Sequence, residues 1–327
     1  MRTARRAGLA TAVLAVALPF AAAAEPLPSW NEGPAKTAIV DFVGAVTTEA
    51  GADFVPPDDR IAVFDNDGTL WSERPVYFQL LFALDRAAEL AARDPAWAST
   101  PALAAAAEGD VRALAEGGHA ALAEVVAATH SGLTVEAFTQ EVADWIAEAR
   151  HPKTDRLFTE MVFQPMLELL DYLRANDFTP YIVSGGGVDF MRAFTETAYG
   201  IPPEQVIGSM GEARFEIVDG TPVIVKDPGI AFIDDKGTKP VAIARHIGRR
   251  PIFVAGNSDG DLAMAQWSTA GEGPRFALFV HHTDAEREFA YDRESPVGRF
   301  DAALDAARAE GWLVVDMAAD WRQIWPE

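Results

Sequence analysis

Cysteine is absent from the 327 residues, so the chain has no disulfide, no thiolate metal site and no lipidated N-terminal cysteine. That absence leaves the redox compartment open. Basic residues are scarce as well: 27 Lys and Arg stand against 49 Asp and Glu, a formal charge of -22. A surface of that sign repels phosphate backbones, which argues against a nucleic-acid partner, yet it tolerates metal cations. Long hydrophobic runs are missing except at the start. There "MRTARR" precedes the mostly apolar stretch Gly8–Phe20, and "AAAAEP" offers small residues for cleavage near Ala24. The uncharged run from Gly8 to Ala24 falls short of the ~20 residues that a membrane span needs. Residues 1–24 are therefore expected to be a signal peptide. Cleavage would leave no stable membrane anchor and a periplasmic or secreted protein.

The rest of the chain shows no tandem repeat and no long linker. Its length suits one large domain, or a core carrying an inserted smaller one. "KTAIVDFVGAVTTEA" places Ile39, Val40, Phe42, Val43 and Val46 at helical spacing. "RIAVFD" is short, β-branched and fully apolar, the pattern of a buried strand. From Pro75 to about Asn176 the sequence turns helical and alanine-rich, and then the strand-like pieces "TPYIVS", "QVIGS", "RPIFVAG" and "RFALFV" return with helices between them. Strands alternating with helices predict an α/β fold with a Rossmann-like, doubly wound parallel sheet. The helical block is too long for one crossover and reads as an inserted α-helical cap. The expected division is a core of residues 25–74 and 165–327 with a cap of 75–164. "ARFEIVDGTPVIVKD" pairs two β-rich runs across Asp219-Gly220, a hairpin signal that reads as a plain surface feature rather than a flap at a site.

In parallel sheets the chemistry gathers where strands end. Asp65-Asn66-Asp67-Gly68-Thr69 follows "IAVF", Ser184-Gly185-Gly186-Gly187 follows "YIV", and Gly256-Asn257-Ser258-Asp259-Gly260-Asp261 follows "PIFVA". "DDKGTKP" adds Lys236 and Lys239 ahead of a helix. Each stretch alone has an ordinary reading as a turn or a solvated charge. A calcium loop wants Gly at its sixth position and Glu at its twelfth. Counting from Asp65 gives Leu70 and Val76, and counting from Asn257 gives Leu262 and Ser268, so both fail. Independent turns would not all fall on strand ends.

Taken together these motifs resemble the haloacid dehalogenase superfamily of aspartate-nucleophile hydrolases, close in style to its phosphoserine phosphatase-like members. The D-x-D-G-T pattern matches Asp65, Asp67, Gly68 and Thr69, the strand-ending hydroxyl matches Ser184, and the acidic fourth motif matches Asn257 to Asp261. The resemblance implies that Asp65 attacks phosphorus and that Asp67 serves as acid and base. It implies that Ser184, the Gly185 N–H and Lys239 or Lys236 hold the phosphoryl oxygens. It also implies Mg²⁺ held by Asp65, the Asp67 carbonyl, Asn257 and Asp261. Halide-displacing members usually lack the second acid, so Asp67 favours a phosphatase acting on a small-molecule phosphomonoester. A phosphotransferase, or a binding module without turnover, would share the fold.

Two positions depart from the family pattern. Many relatives carry Asp where Asn257 stands, and the lysine has two candidates: Lys239, the last residue before its helix and the one favoured here, and Lys236, which matches the longer spacing of some relatives. His281 and His282 lie at a strand end, where neighbours point to opposite faces, so a single metal between them is excluded without a bend. Trp71, Glu73 and Arg74 follow the first motif and either face the substrate pocket or, for Glu73 and Arg74, form a surface ion pair. The tryptophans Trp97, Trp145, Trp267, Trp312, Trp321 and Trp325 read as packing.

Overall fold

A computed structural model of the protein describes residues 25–327. The expected signal peptide, residues 1–24, lies outside them. No helix among the described residues is long and apolar enough to cross a membrane.

The chain enters through helix α1 (Pro34–Thr47), which buries Ile39, Val43 and Val46 on one stripe, as four- and three-residue spacing on a helix requires. Strand β1 (Ile61–Phe64) follows, buried along its whole length. Four helices come next: α2 (Phe78–Arg93), α3 (Pro101–Ala107), α4 (Val111–Thr129, broken at Gly118) and α5 (Val135–Glu148). Asp110 and Thr134 cap the last two by accepting from the N–H groups of Ala113 and Ala137, which satisfies donors a helix start leaves bare. Helix α6 (Gln164–Ala175) then returns the chain to strand β2 (Thr179–Gly187).

Short helices α7 (Val188–Arg192) and α8 (Thr195–Tyr199) lead to an antiparallel pair, β3 (Val206–Val218) and β4 (Thr221–Phe232). Beyond it come α9 (Lys239–His246), β5 (Phe253–Gly256), α10 (Leu262–Thr269), β6 (Phe276–His281), α11 (Ala302–Glu310), β7 (Leu313–Asp316) and α12 (Met317–Asp320).

These strands form a seven-stranded sheet in the order β4-β3-β2-β1-β5-β6-β7. Every pairing is parallel except β3 with β4. The order reverses at β1, which has β2 on one side and β5 on the other, and a crevice opens at the strand ends of such a switch point. Alternation along β1 splits the core between the two faces. Ala62 and Phe64 join the α1 and α6 side with Val43 and Leu170, while Ile61 and Val63 join the α9 to α11 side with Ile243 and Leu304. Helices α2, α3 and α4 bury a third cluster of their own, including Leu84, Leu103 and Leu114.

The hairpin is more than a surface feature. Its strand β4 exchanges main-chain hydrogen bonds with the α4–α5 connection: Gly132 N–H donates to the Lys226 carbonyl at 2.9 Å, and Lys226 N–H donates to the Leu133 carbonyl at 2.8 Å. The expectation of a plain surface hairpin is corrected by this docking, since a strand edge left in water is stabilised when another segment satisfies it.

Candidate active site

Register brings the motifs together. Phe64 pairs with Ile182 and with Ala255, so Ser184 and Asn257 follow on the strands flanking the Asp65–Asp67 turn. Asp65 itself is tied to β5 by its N–H, which donates to the Ala255 carbonyl at 3.0 Å. The turn after it closes through Asn66, whose carbonyl accepts from Thr69 and Leu70 at 3.1 and 2.8 Å. Gly68 sits at φ +76°, and a Cβ there would lie 2.0 Å from Asn257 Nδ2. Only glycine gives both the left-handed turn and the close approach of the fourth motif.

Lys239 opens α9 and is buried with its ammonium between two acids: Nζ donates to Asp65 Oδ1 at 2.7 Å and to Asp261 Oδ1 at 2.6 Å. Burial opposes its charge, but Asp261 and Asp65 outweigh that and raise its pKa. Asp261 spends its other oxygen on the N–H groups of Asn257 and Ser258, at 3.0 and 3.1 Å. Both of its oxygens are therefore engaged within the protein. In this geometry Asp261 organises the loop and the lysine. Lys236 is exposed.

The two acids of the first motif differ. Asp65 is raised by burial and by the charge of Asp261, with Lys239 pulling the other way. Asp67 is partly buried, and burial lifts it to about 6 although Trp71 Nε1–H donates to its Oδ1 at 2.7 Å. Trp71 in turn is stacked on Phe194, ring centres 4.6 Å apart, and is fully buried. It holds Asp67 through its indole N–H. Ser184 is buried, and its Oγ accepts from the Gly186 N–H at 3.1 Å.

Several residues outside the family motifs complete the site. Glu73 is buried and accepts from Asn257 Nδ2 at 2.7 Å and from the Tyr291 hydroxyl at 2.8 Å. Burial raises its pKa, and the nearby Asp67 and Asp65 add to the effect. The surface ion pair with Arg74 does not form: Arg74 lies over the Tyr291 ring, 5.2 Å from its centre. His282 is buried, with Nε2 2.7 Å from the Gly68 carbonyl and Nδ1 3.1 Å from Glu288 Oε2. Glu288 also accepts from the Ser72 hydroxyl. His282 therefore braces the turn of the first motif from beneath, a structural part, whereas His281 stands 3.5 Å from Asp292.

Asp65 and Asp261 thus share one buried ammonium, with Asp67 and Glu73 near Asp65. That surplus of negative charge in a desolvated place favours uptake of a cation. No three acidic or imidazole side chains among the described residues converge as a ready cage. The donors that fit are mixed oxygens: the Asp65 carboxylate, the Asp67 main-chain carbonyl and Asn257 Oδ1, a hard set suited to a hard divalent ion. Asn257→Asp tests this arrangement. From sequence alone it adds a charged ligand and tightens binding. In the structure it also removes the amide that donates to Glu73 and sets two buried carboxylates face to face. The metal-free variant should lose roughly 1–3 kcal/mol of stability, and added divalent cation should raise its melting temperature more than that of the wild type. Equal melting temperatures in chelator would mean that the amide does not serve Glu73.

Residues 62–266 match the family described as haloacid dehalogenase-like hydrolase, a span that holds every motif from Asp65 to Asp261. No curated protein matches the chain in sequence. Among solved structures, a conserved protein of unknown function from Anaerococcus prevotii aligns with a TM-score of 0.52 at 16% identity, covering 84% of this chain and 88% of its own. A protein of unknown function from Bordetella pertussis aligns at 0.50 and 16% identity, covering 79% of this chain and 98% of its own. These two likenesses concern the fold. With the matched span covering well over half of its length, the chain belongs to the haloacid dehalogenase-like hydrolase family.

Proposed function

We propose that this hydrolase is an exported phosphatase that cleaves a small phosphomonoester through an aspartyl-phosphate, with Mg²⁺ as its ion. The observation that carries the reading is the pairing of roles at one turn. Asp65 is held by Lys239, while Asp67, two residues on, is held apart by Trp71 with its pKa lifted towards neutrality. Export rests on the basic and apolar start of the sequence, and periplasmic or secreted placement follows from it.

A phosphate monoester resists attack because its own negative charge repels the nucleophile, so a site must position the nucleophile and spread that charge. Asp65 supplies a carboxylate oxygen that bonds to phosphorus as the ester P–O bond breaks. Asp67 gives its proton to the leaving oxygen, and then accepts one from the water that attacks phosphorus and breaks the bond to Asp65. In this reading Lys239, the Ser184 hydroxyl and the Gly185 N–H supply the donors that phosphoryl oxygens need. A divalent ion held by Asp65, the Asp67 carbonyl and Asn257 would neutralise phosphoryl charge when bound. Hydrolysis of an aryl phosphate with and without Mg²⁺ tests the whole reading. No turnover under either condition would leave only a binding module on this fold.

The lysines make a sharper test. Lys239→Ala removes the cation between Asp65 and Asp261, and kcat should fall roughly 10²–10³-fold, as it does when one preorganised donor is lost. Lys236→Ala changes an exposed side chain and should stay within about twofold, the usual range for surface substitutions. The reverse ranking would move the phosphate contact to Lys236.

A further inference from the structure

A cavity of about 490 Å³ lies between the cap and the β3–β4 hairpin, and Gly185 and Gly187 at the bulged end of β2 form part of its wall. We propose that this cavity receives the organic part of the substrate and that the substrate is the phosphate ester of an uncharged, apolar alcohol. The inference rests on the phosphatase reading above, because it takes Ser184 and the Gly185 N–H at the end of β2 as phosphoryl contacts.

The walls are apolar. Ala123 and Val126 of α4, Phe138 of α5, Val188, Met210 and Ile230 face the space. Ile230 and Ile233 at its edge are 40% and 57% exposed, apolar surface that a bound hydrophobic group would cover. The charges at the wall cancel. Lys226 is buried, pairs with Asp189 and sits 4.7 Å over the Phe138 ring, while Asp227 pairs with Arg214.

The polar groups at the wall serve one another. Gly187 N–H donates to Gln79 Oε1 at 2.8 Å, Gln79 Nε2 lies 3.1 Å from His130 Nε2, and His130 Nδ1 lies 2.8 Å from Thr129 Oγ1. Thr129 donates its own hydrogen to the Val125 carbonyl at 2.7 Å. The threonine oxygen must then accept from Nδ1–H, which leaves the Nε2 lone pair for Gln79 and makes the imidazole neutral. This chain of hydrogen bonds joins cap helix α4 to the end of β2. A leaving group carrying an ammonium and a carboxylate would find no uncompensated charge here, and burying it unpaired is costly. An apolar one fits the volume, which is ordinary for a small-molecule site.

Straight-chain alkyl phosphates from ethyl to hexyl test the assignment, because their leaving groups have nearly the same acidity and differ in apolar surface. With Mg²⁺ present, kcat/KM should rise about threefold to fourfold per methylene, about a hundredfold across the series, and phosphoserine should be a poor substrate. Ala123→Trp should cut the rate on hexyl phosphate at least tenfold and leave ethyl phosphate unchanged. Should that variant fold poorly, Val126→Phe gives the same comparison with a smaller intrusion. Turnover that is flat with chain length, or insensitive to both substitutions, overturns the cavity assignment and keeps the phosphatase. If no ester is hydrolysed, the phosphatase reading fails instead. Calorimetry of ethyl against hexyl phosphate then decides the cavity, with tighter hexyl binding supporting it and equal affinities ending it.

Discussion

Asp65→Asn should reduce phosphatase turnover to background, a loss of roughly 10⁴-fold or more out of the 10⁶-fold or greater acceleration that enzymes supply. The amide keeps an oxygen for the Lys239 hydrogen bond, so the shape of the site survives while the nucleophile does not. Stability should move the other way. The Asp65 carboxyl is raised by burial and by Asp261, so the folded state holds its proton more tightly than the unfolded chain does. An acid raised in this way weakens the fold as pH climbs above its ordinary 3.8. Asparagine lacks that cost. The variant should therefore melt no lower than the wild type in chelator, and its advantage should grow from about pH 5 to about pH 7.5. Activity retained at a tenth of the wild type would exclude Asp65 as the nucleophile. A melting temperature well below the wild type would show instead that the Asp65–Lys239 pair stabilises the fold, against the direction argued here.

How much of this was legible before the structure depends on the range of each signal. The alternation of strand and helix is local, and the reading of β1 as a buried strand from "IAVF" agrees with four fully buried residues. The Asp219-Gly220 turn is local too, and both residues take the positive φ that such a hairpin needs. What the hairpin touches was not legible. The bonds between Lys226 and the Gly132–Leu133 segment join residues more than ninety positions apart, and nothing in either segment announces the other.

The same division runs through the site. Asp65, Asp67, Ser184, Lys239, Asn257 and Asp261 stood out because each sits at or near a strand end or a helix start. Glu73 was balanced between a surface pair with Arg74 and a place near the substrate. Its burial is decided by Asn257 and Tyr291, 184 and 218 residues further on. The segment from His282 to Gly298 fell outside every motif, yet Glu288 and Tyr291 back the first turn. Gly298, at φ +65°, comes so close that a Cβ would lie 1.8 Å from Glu73 Oε1. The Gly there is a packing requirement that no local pattern shows. Asp261 is the reverse case. Its position is legible in the sequence, but its hold on Lys239 and on the Asn257 and Ser258 N–H groups shows only in the structure.

Asp67→Asn should separate the two chemical steps that Asp65→Asn abolishes together. The substitution keeps an oxygen for the Trp71 N–H, so the turn should hold its shape. It removes the proton donor for the leaving group and the base for the attacking water, an effect of roughly 10²–10⁴-fold in general acid–base catalysis. Burial places the Asp67 carboxyl at about 6, close enough to neutrality to give and take a proton within one cycle. An aryl phosphate needs little protonation of its leaving oxygen, so Asp67→Asn should still transfer the phosphoryl group to Asp65. Without its base, the second step should stall. Rapid quenching should then show a burst of phenol, with labelled phosphate accumulating on the protein, and Asp65→Asn should show neither. A burst of equal size in both variants, or one confined to Asp65→Asn, would exchange or abolish the roles given to the two acids. A slow, burst-free Asp67→Asn would mean that proton donation limits the first step even for a good leaving group. That outcome would place Asp67 against the ester oxygen and remove it from the attacking water.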